Sequence, residues 1–233
     1  MTRRKLATKG TKSTKILCFL CLLWLTPSLH AQATLEQVFT KLDDVAKTFR
    51  TVDATLERTK VTVLVDEKDV ATGRLYYLRA GKEPRLKLEI SKPVAQYLLI
   101  DKGKGLFYQP KINQVQEFSL GGHADAVDQF MAIGFGQSSA DLKKNYQVSF
   151  AGEEVVDGKK TAMLDLAPKT SLAGIKTVRL WMDEQKGLSL QVKVVETGGD
   201  YALYKYSNIK LNSAIPDSVF DLKLPKGVHV NKL

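Results

Sequence analysis

The sequence TVDATLERTKVTVLV, residues 51–65, decides the fold class because its apolar residues recur at every second position. Val52, Ala54 and Leu56 share one parity, and Val61, Val63 and Val65 share the other. Alternation of this kind is typical of a β-strand with one buried face. The change of parity predicts a bulge or bend at residues 57–60, which would keep the apolar side chains on one face.

The same alternation continues in short segments over most of the chain. Turn residues separate several of these segments: Asp101-Lys102-Gly103, Pro110-Lys111, Asp157-Gly158, Asp183 to Gly187 and Gly198-Gly199-Asp200. We predict further strands over residues 73–79, 85–91, 95–101, 105–109, 114–119, 146–151, 161–167, 175–183, 187–196 and 200–211. Many short strands with regularly spaced turns indicate an antiparallel sheet that curls toward a barrel or sandwich.

Residues 35–49 have helical periodicity instead. Their apolar side chains recur at intervals of three and four, with charged residues on the opposite side. Thr34 and Gln37 can form a capping box at the start of this segment. The pattern predicts one amphipathic helix with an inward face formed by Leu35, Val38, Phe39, Leu42, Val45, Ala46 and Phe49.

Alternation is also interrupted between Gly122 and Asn145. Ala124, Val127, Phe130, Met131 and Ile133 are at helical spacing and are followed by Gly134-Phe135-Gly136. A short helix is predicted to start at Ser138 or Ser139, either of which can cap it. Two interpretations are open. The bulky residues pack as ordinary core, which periodicity alone favours, or they cover a hollow in the sheet.

The first 33 residues have the three parts of a secretory signal. A basic stretch is followed by a short apolar run and by the small-residue sequence Ala31-Gln32-Ala33. The apolar run is shorter than the roughly 20 residues that span a bilayer. We therefore predict a signal over residues 1–33, cleaved after Ala31 or Ala33, and one exported domain over residues 34–233. A retained membrane anchor is the alternative.

The composition argues against several classes of function. Both cysteines lie in the predicted signal, so the rest of the chain has no disulfide and no cysteine-based metal site. The formal net charge of +10 includes six basic residues of that signal, and +4 remains without them. The remaining charges are interspersed, with no basic arm or stripe, which argues against nucleic-acid binding.

No motif for catalysis, a metal or a cofactor occurs. His123 and His229 have no partner at metal-ligand spacing. The Gly134-Phe135-Gly136 sequence lacks the third glycine of a dinucleotide loop, and no G-x-S-x-G sequence is present. These observations favour a binding protein without a metal or cofactor over an enzyme.

Several short motifs follow one another in the predicted strands. They are Pro84-Arg85-Leu86-Lys87-Leu88-Glu89, Pro93 with Gln96-Tyr97-Leu98-Leu99-Ile100-Asp101, Phe107-Tyr108-Gln109-Pro110, Asp157-Gly158 with Leu164-Asp165-Leu166-Ala167-Pro168-Lys169, Leu180-Trp181-Met182-Asp183 with Gly187-Leu188, Ile215-Pro216 with Phe220, and Pro225-Lys226-Gly227-Val228. In this order, the set resembles the periplasmic outer-membrane lipoprotein carrier (LolA) family of lipoprotein-sorting proteins. The resemblance covers nearly all of the chain after the predicted signal.

The resemblance implies a mainly β fold with α-helices: an incomplete antiparallel β-barrel, or half-barrel, with an N-terminal helix and a helical lid. It implies a monomer that binds the acyl chains of lipoproteins in a hydrophobic cavity. Its partners would be acylated lipoproteins, an inner-membrane lipoprotein-releasing ABC transporter and an outer-membrane acceptor. The lipid-binding residues of the cavity and lid would be Phe39, Phe49, Leu98, Ile100, Phe107, Tyr108, Phe130, Met131, Ile133 and Phe135.

The chain departs from the family pattern at three positions. Well-studied members have an arginine directly before the first proline, which ties the lid shut, and this chain has Glu83 there. Leu106 and Lys102 replace a usual aromatic and a turn glycine. The alternatives are a periplasmic lipid-binding or lipoprotein-sensing regulatory module of the same fold, and a carrier of another envelope lipid.

Overall fold

The computed structural model describes residues 35–79, 84–120, 133–170 and 174–232. Their helices are α1 (Leu35–Thr48) and α2 (Ser139–Asn145). Their strands are β1 (Thr51–Thr62), β2 (Glu67–Leu78), β3 (Arg85–Lys92), β4 (Gln96–Asp101), β5 (Lys104–Gln109), β6 (Gln114–Ser119), β7 (Tyr146–Val156), β8 (Lys159–Pro168), β9 (Ile175–Asp183), β10 (Ser189–Glu196), β11 (Tyr201–Leu211) and β12 (His229–Lys232).

All of these strands belong to one open, curled sheet with the order β12-β6-β5-β4-β3-β2-β1-β11-β10-β9-β8-β7. Neighbours pair antiparallel except β12, which lies parallel to β6. The predicted fold class, mainly β with an N-terminal helix on an incomplete barrel, is confirmed.

Tight hairpins connect neighbouring strands where the sequence has turn residues. Lys102 and Gly103 join β4 to β5 with φ of 51° and 71°, and Asp157 and Gly158 join β7 to β8 with φ of 49° and 75°. Two consecutive positive φ values define the turn whose twist matches that of the flanking strands. The turns predicted at both places are therefore present.

One face of the sheet carries most of the buried apolar residues, and we call it the inner face. Directly paired residues of antiparallel strands point to the same side, so Leu75, Leu88, Leu98 and Phe107 form one row across β2 to β5. Helix α1 packs on the inner face of β8 to β10 through Val38, Phe39 and Leu42.

The opposite, outer face of β3 to β6 is partly covered by the C-terminal segment, residues 213–232. Phe220 is 2% exposed, and the guanidinium of Arg85 lies 4.3 Å from the centre of its ring. Arg85 also pairs with Asp217 of the same segment and with Asp101 of β4. These contacts hold the segment against the sheet, and β12 then extends the sheet beyond β6.

Both helices are placed as their sequences predict. Ser138 is the N-cap of α2, and its side chain and that of Asp141 form a capping box. Asp43 of α1 accepts hydrogen bonds from the backbone N–H and the hydroxyl of Ser139, at 2.6 and 2.8 Å. The capping box predicted at Thr34 falls outside the described residues.

The structure corrects the prediction for residues 57–65. Strand β1 pairs with β2 without interruption over residues 57–60, and its register shift against β11 lies between Asp53 and Thr55. Val63–Val65 form a 3₁₀ turn rather than strand, and Leu64 is 93% exposed. Strand β2 also starts earlier than predicted, at Glu67. The apolar run of residues 61–65 therefore continues past the end of the strand.

Two predictions fall mainly outside the described residues. The predicted signal occupies residues 1–33, and most of the predicted lid lies between residues 121 and 132. The described residues form part of one compact unit that begins at Ala33. None of the helices among them has the length and apolar character needed to cross a membrane.

Candidate apolar binding cavity

A cavity of about 170 Å³ lies on the inner face of the sheet. Strands β1 to β4 provide one side and strands β9 to β11 the other. Two larger hollows, of about 280 and 480 Å³, are lined in large part by charged and polar side chains. Among the described residues, the side chains that line the inner cavity are aliphatic or aromatic: Leu56, Leu75, Leu86, Leu88, Leu98, Ile133, Val178, Val192, Val194, Tyr204 and Tyr206.

The size and lining of this cavity suit hydrocarbon. An engineered apolar cavity of about 150 Å³ in another protein stays dry and binds benzene. The observed space thus accommodates a short stretch of an acyl chain. A longer chain requires residues around the cavity to move apart.

Strand pairing explains why so many leucines meet at the cavity. Leu88 pairs with Leu75 on one side and with Leu98 on the other. Leu86 follows the same parity along β3, opposite Tyr77 and Ile100. Alternation therefore directs the leucines of three neighbouring strands to the same side of the sheet.

Two tyrosines of β11 form the middle of the cavity wall. Tyr206 pairs with Leu56 of β1, and Tyr204 pairs with Arg58. The ring of Tyr206 meets that of Phe135 edge to face, with the ring centres 4.8 Å apart. Burial raises the pKa of the Tyr206 phenol well above its ordinary value. Burial also raises the pKa of Tyr204, and nearby Arg58 opposes that shift.

Residues 133–137 lie beside the cavity, just before α2, and hydrogen bonds hold both ends of this segment. The backbone N–H of Ser189 donates to the carbonyl oxygen of Gly134 at 2.8 Å. The guanidinium of Arg79 donates to the carbonyl oxygen of Gly136, also at 2.8 Å. A Cβ on Gly136 would lie 2.3 Å from the ring of Phe49, so only glycine fits this close approach.

Comparison with known proteins identifies the family. The chain matches the family described as "Outer membrane lipoprotein carrier protein LolA" over residues 47–223, a range that contains every residue of the cavity lining. The chain belongs to the LolA family.

Individual relatives are distant. An outer-membrane lipoprotein carrier protein of Chromobacterium violaceum is 24% identical over 165 residues, which cover 70% of this chain and 73% of that protein. The uncharacterized protein MJ0687 of Methanocaldococcus jannaschii is 24% identical over 134 residues. These residues are 57% of this chain and 37% of that protein, so the match spans about a third of MJ0687.

A solved structure supports the fold. An uncharacterized conserved protein from Thermus thermophilus superposes with a TM-score of 0.53 at 13% identity. The superposition covers 85% of this chain and 98% of the other. At this identity the likeness concerns the fold alone, and it agrees with the family match.

The structure distributes the residues expected to bind lipid over several environments. Leu98 and Ile133 line the cavity. Phe107 is on the same face as Leu98, its direct partner in β4. The buried core next to the cavity contains Phe49, Ile100 and Phe135, whereas Phe39 belongs to α1 and packs against β8 to β10.

One of the expected residues does not join this group. Tyr108 is on the outer face, since it neighbours Phe107 in the same strand and pairs with Tyr97. We therefore remove it from the candidate site. Phe130 and Met131 lie outside the described residues.

Sequence reasoning missed most of the cavity wall. The leucines of β1 to β3 and the valines of β9 and β10 were recognised only as strand residues. The Tyr204-x-Tyr206 spacing indicates part of this wall. Two large aromatic side chains on one face of a strand are stabilised by packing against another apolar surface. Among the described residues, His, Cys, Asp and Glu form no group of three or more that could hold a metal.

Proposed function

We propose that this chain is a periplasmic carrier that binds the acyl chains of lipoproteins in its inner cavity and moves them from the inner to the outer membrane. The single observation that carries the proposal is the apolar cavity on the inner face of a LolA-family sheet. Cleavage of residues 1–33 and export to the periplasm are part of this proposal. So are an inner-membrane releasing ABC transporter and an outer-membrane acceptor as partners.

Acyl burial supplies the driving force. Each CH₂ buried is worth about 0.8 kcal/mol, so one chain of about sixteen carbons represents roughly 12 kcal/mol. Two or three chains buried in a preformed pocket would exceed the practical limit for reversible binding, about 18–21 kcal/mol. A carrier that releases its cargo therefore needs a small cavity when empty. The free energy needed to open this cavity then lowers the net affinity for the acyl chains. The observed volume of about 170 Å³ fits this requirement.

Arg79 is the residue we propose to hold the empty carrier closed. It lies directly after β2 and bonds to Gly136, and its guanidinium is 5.1 Å from the centre of the Phe49 ring. The chain has Glu83, outside the described residues, where relatives carry a closing arginine. An arginine four residues earlier reaches the segment that borders the cavity and can serve the same purpose.

The first test uses binding of a fluorescent fatty-acid probe to the purified chain without residues 1–33. We expect saturable binding, displacement by an acylated lipoprotein, and no displacement by the same protein without its acyl chains. Leu98→Trp, which fills the cavity from β4, should weaken probe binding at least tenfold. Ile112→Trp is the matched control, because Ile112 is 55% exposed on a turn.

The second test is release of a lipoprotein from inner-membrane vesicles that contain the releasing transporter. Wild type and Ile112→Trp should release lipoprotein into solution, and Leu98→Trp should not. Probe binding no stronger than that of an unrelated β-sandwich protein would contradict the proposal. Probe binding without lipoprotein release would instead favour the lipid-binding or regulatory module of the same fold.

A further inference from the structure

Arg58 lies where the apolar lining of the cavity ends. It is two residues beyond Leu56 in β1, on the same face, and pairs directly with Tyr204 of β11. Ala71, its partner on β2, is 1% exposed. The next residue of this parity, Lys60, is exposed. A guanidinium therefore stands at the border between the cavity and the solvated end of the sheet.

The guanidinium has an unused donor. Its Nη2 donates to Oδ2 of Asp69 at 3.3 Å. Its Nε is buried and has no hydrogen-bond partner within the part of the chain that the structure describes. An unpaired buried donor is unfavourable, so an oxygen acceptor bound at this point restores a lost hydrogen bond.

The neighbouring charges define which acceptor fits. Asp69 already neutralises Arg58, and Glu196 is the other charged group whose field reaches Tyr204. A second anion at Nε would meet the carboxylate of Asp69, which already pairs with the same guanidinium. A neutral oxygen that is joined to hydrocarbon meets no such repulsion, and its chain continues into the cavity. The carbonyl of an acyl ester or amide has this chemistry.

We propose that Nε of Arg58, the residue that pairs with Tyr204 across β1 and β11, binds the carbonyl oxygen of an acyl ester or amide whose hydrocarbon chain occupies the cavity. This inference rests on the proposed function, since it assumes that acyl chains bind on the inner face. It adds an orientation, with the polar end of the chain at Arg58 and the tail running past Leu56 toward Leu75. It also adds selectivity for acyl over alkyl lipids.

The test compares dioctanoylglycerol with dioctylglycerol, its ether analogue, which lacks both carbonyl oxygens. Affinities are measured by displacement of the fluorescent fatty-acid probe. A hydrogen bond to a charged donor corresponds to about tenfold or more in affinity, so wild type should bind the ester at least tenfold more tightly. Arg58→Met should remove this preference and leave ether binding within twofold of wild type.

Two further variants keep the test informative. Arg58→Lys retains a cation for Asp69 but has no Nε, so it should also lose the preference for the ester. This variant provides the test if Arg58→Met folds poorly. Arg74→Met is the matched control, because Arg74 forms an exposed ion pair with Asp53 away from the cavity. It should keep the full preference for the ester.

A last comparison identifies the source of the carbonyl. A diacylated lipopeptide that binds more tightly than phosphatidylglycerol, with a loss in Arg58→Met, supports both proposals. Tighter binding of phosphatidylglycerol with the same loss supports the carbonyl site and contradicts the lipoprotein carrier. Equal binding of ester and ether by wild type overturns the carbonyl site alone, whereas failure of both to bind contradicts the proposed function.

Discussion

The two sides of the inner face differ in how completely they are filled. Under α1, the side chains of Leu164, Leu166 and Leu180 are 0% exposed, and α1 and α2 complete their packing. Toward β1 to β4, the same kind of leucine-rich surface borders a cavity of about 170 Å³. Leucine and valine side chains line both sides. Hydrophobic patterning alone therefore does not distinguish a core from a binding cavity.

The largest expected effect is a difference between two leucine truncations. Leu180→Ala removes a side chain from the filled side and leaves a new cavity, so it should lower the free energy of unfolding by about 3–5 kcal/mol. Leu88→Ala enlarges an existing cavity and removes a half-buried side chain, so it should cost about 1–2 kcal/mol, below the roughly 2.4 kcal/mol expected for three fully buried carbons. Urea denaturation of both variants measures the difference.

Equal losses would contradict the distinction between the two sides. A loss at Leu88 as large as that at Leu180 would mean that the cavity is closed by tight packing in solution. Leu180→Ala should leave probe binding nearly unchanged at temperatures where it remains folded. This control separates stability from ligand binding.

Much of the fold could be predicted from the sequence because it depends on local patterns. The apolar face of α1, the turns at Asp157-Gly158 and Lys102-Gly103, and the cap at Ser138 are all present as predicted. One exception is Val63–Val65, which has the composition of a strand but forms the exposed turn between β1 and β2. Alternation alone does not mark the residue at which a strand ends.

The cavity was harder to predict because it depends on which strands become neighbours. Leu88 meets Leu98 only through the register of β3 and β4, and Tyr206 meets Leu56 across strands from opposite ends of the domain sequence. The resemblance places both Phe107 and Tyr108 at the lipid, but neighbouring residues of a strand point to opposite faces. The cavity residues come together through the pairing of distant strands and the face on which each side chain lies, and neither can be read from the spacing of residues in the sequence.

Closure of the hollow side should depend on Arg79. Removing its charged hydrogen bond to Gly136 with Arg79→Gln should favour opening by about 1.5–3 kcal/mol, and the association rate of the probe should rise about tenfold or more. Stopped-flow fluorescence measures this rate. Arg74→Gln, which breaks an exposed ion pair with Asp53, is the control and should leave the rate unchanged. An unchanged rate in Arg79→Gln would show that residues 133–137 do not control access.

The smallest effect concerns Tyr206, and it tests whether the hollow side is dry. Burial raises the pKa of this phenol in the folded state above its ordinary value of about 10, so the folded protein keeps a proton that the unfolded chain releases. The contribution of Tyr206 to stability is therefore intact below pH 10 and is lost as the pH rises above it.

Wild type and Tyr206→Phe should show parallel stability up to about pH 9.5. Above pH 10, wild type should fall relative to the variant by at most about 1.4 kcal/mol per pH unit in urea denaturation. Tyr204→Phe should give a smaller gain, because Arg58 opposes the shift there. Parallel curves at every pH would mean that the phenol of Tyr206 ionises as freely as in water. The cavity would then be hydrated, and the contrast between a dry hollow and a filled core would no longer hold.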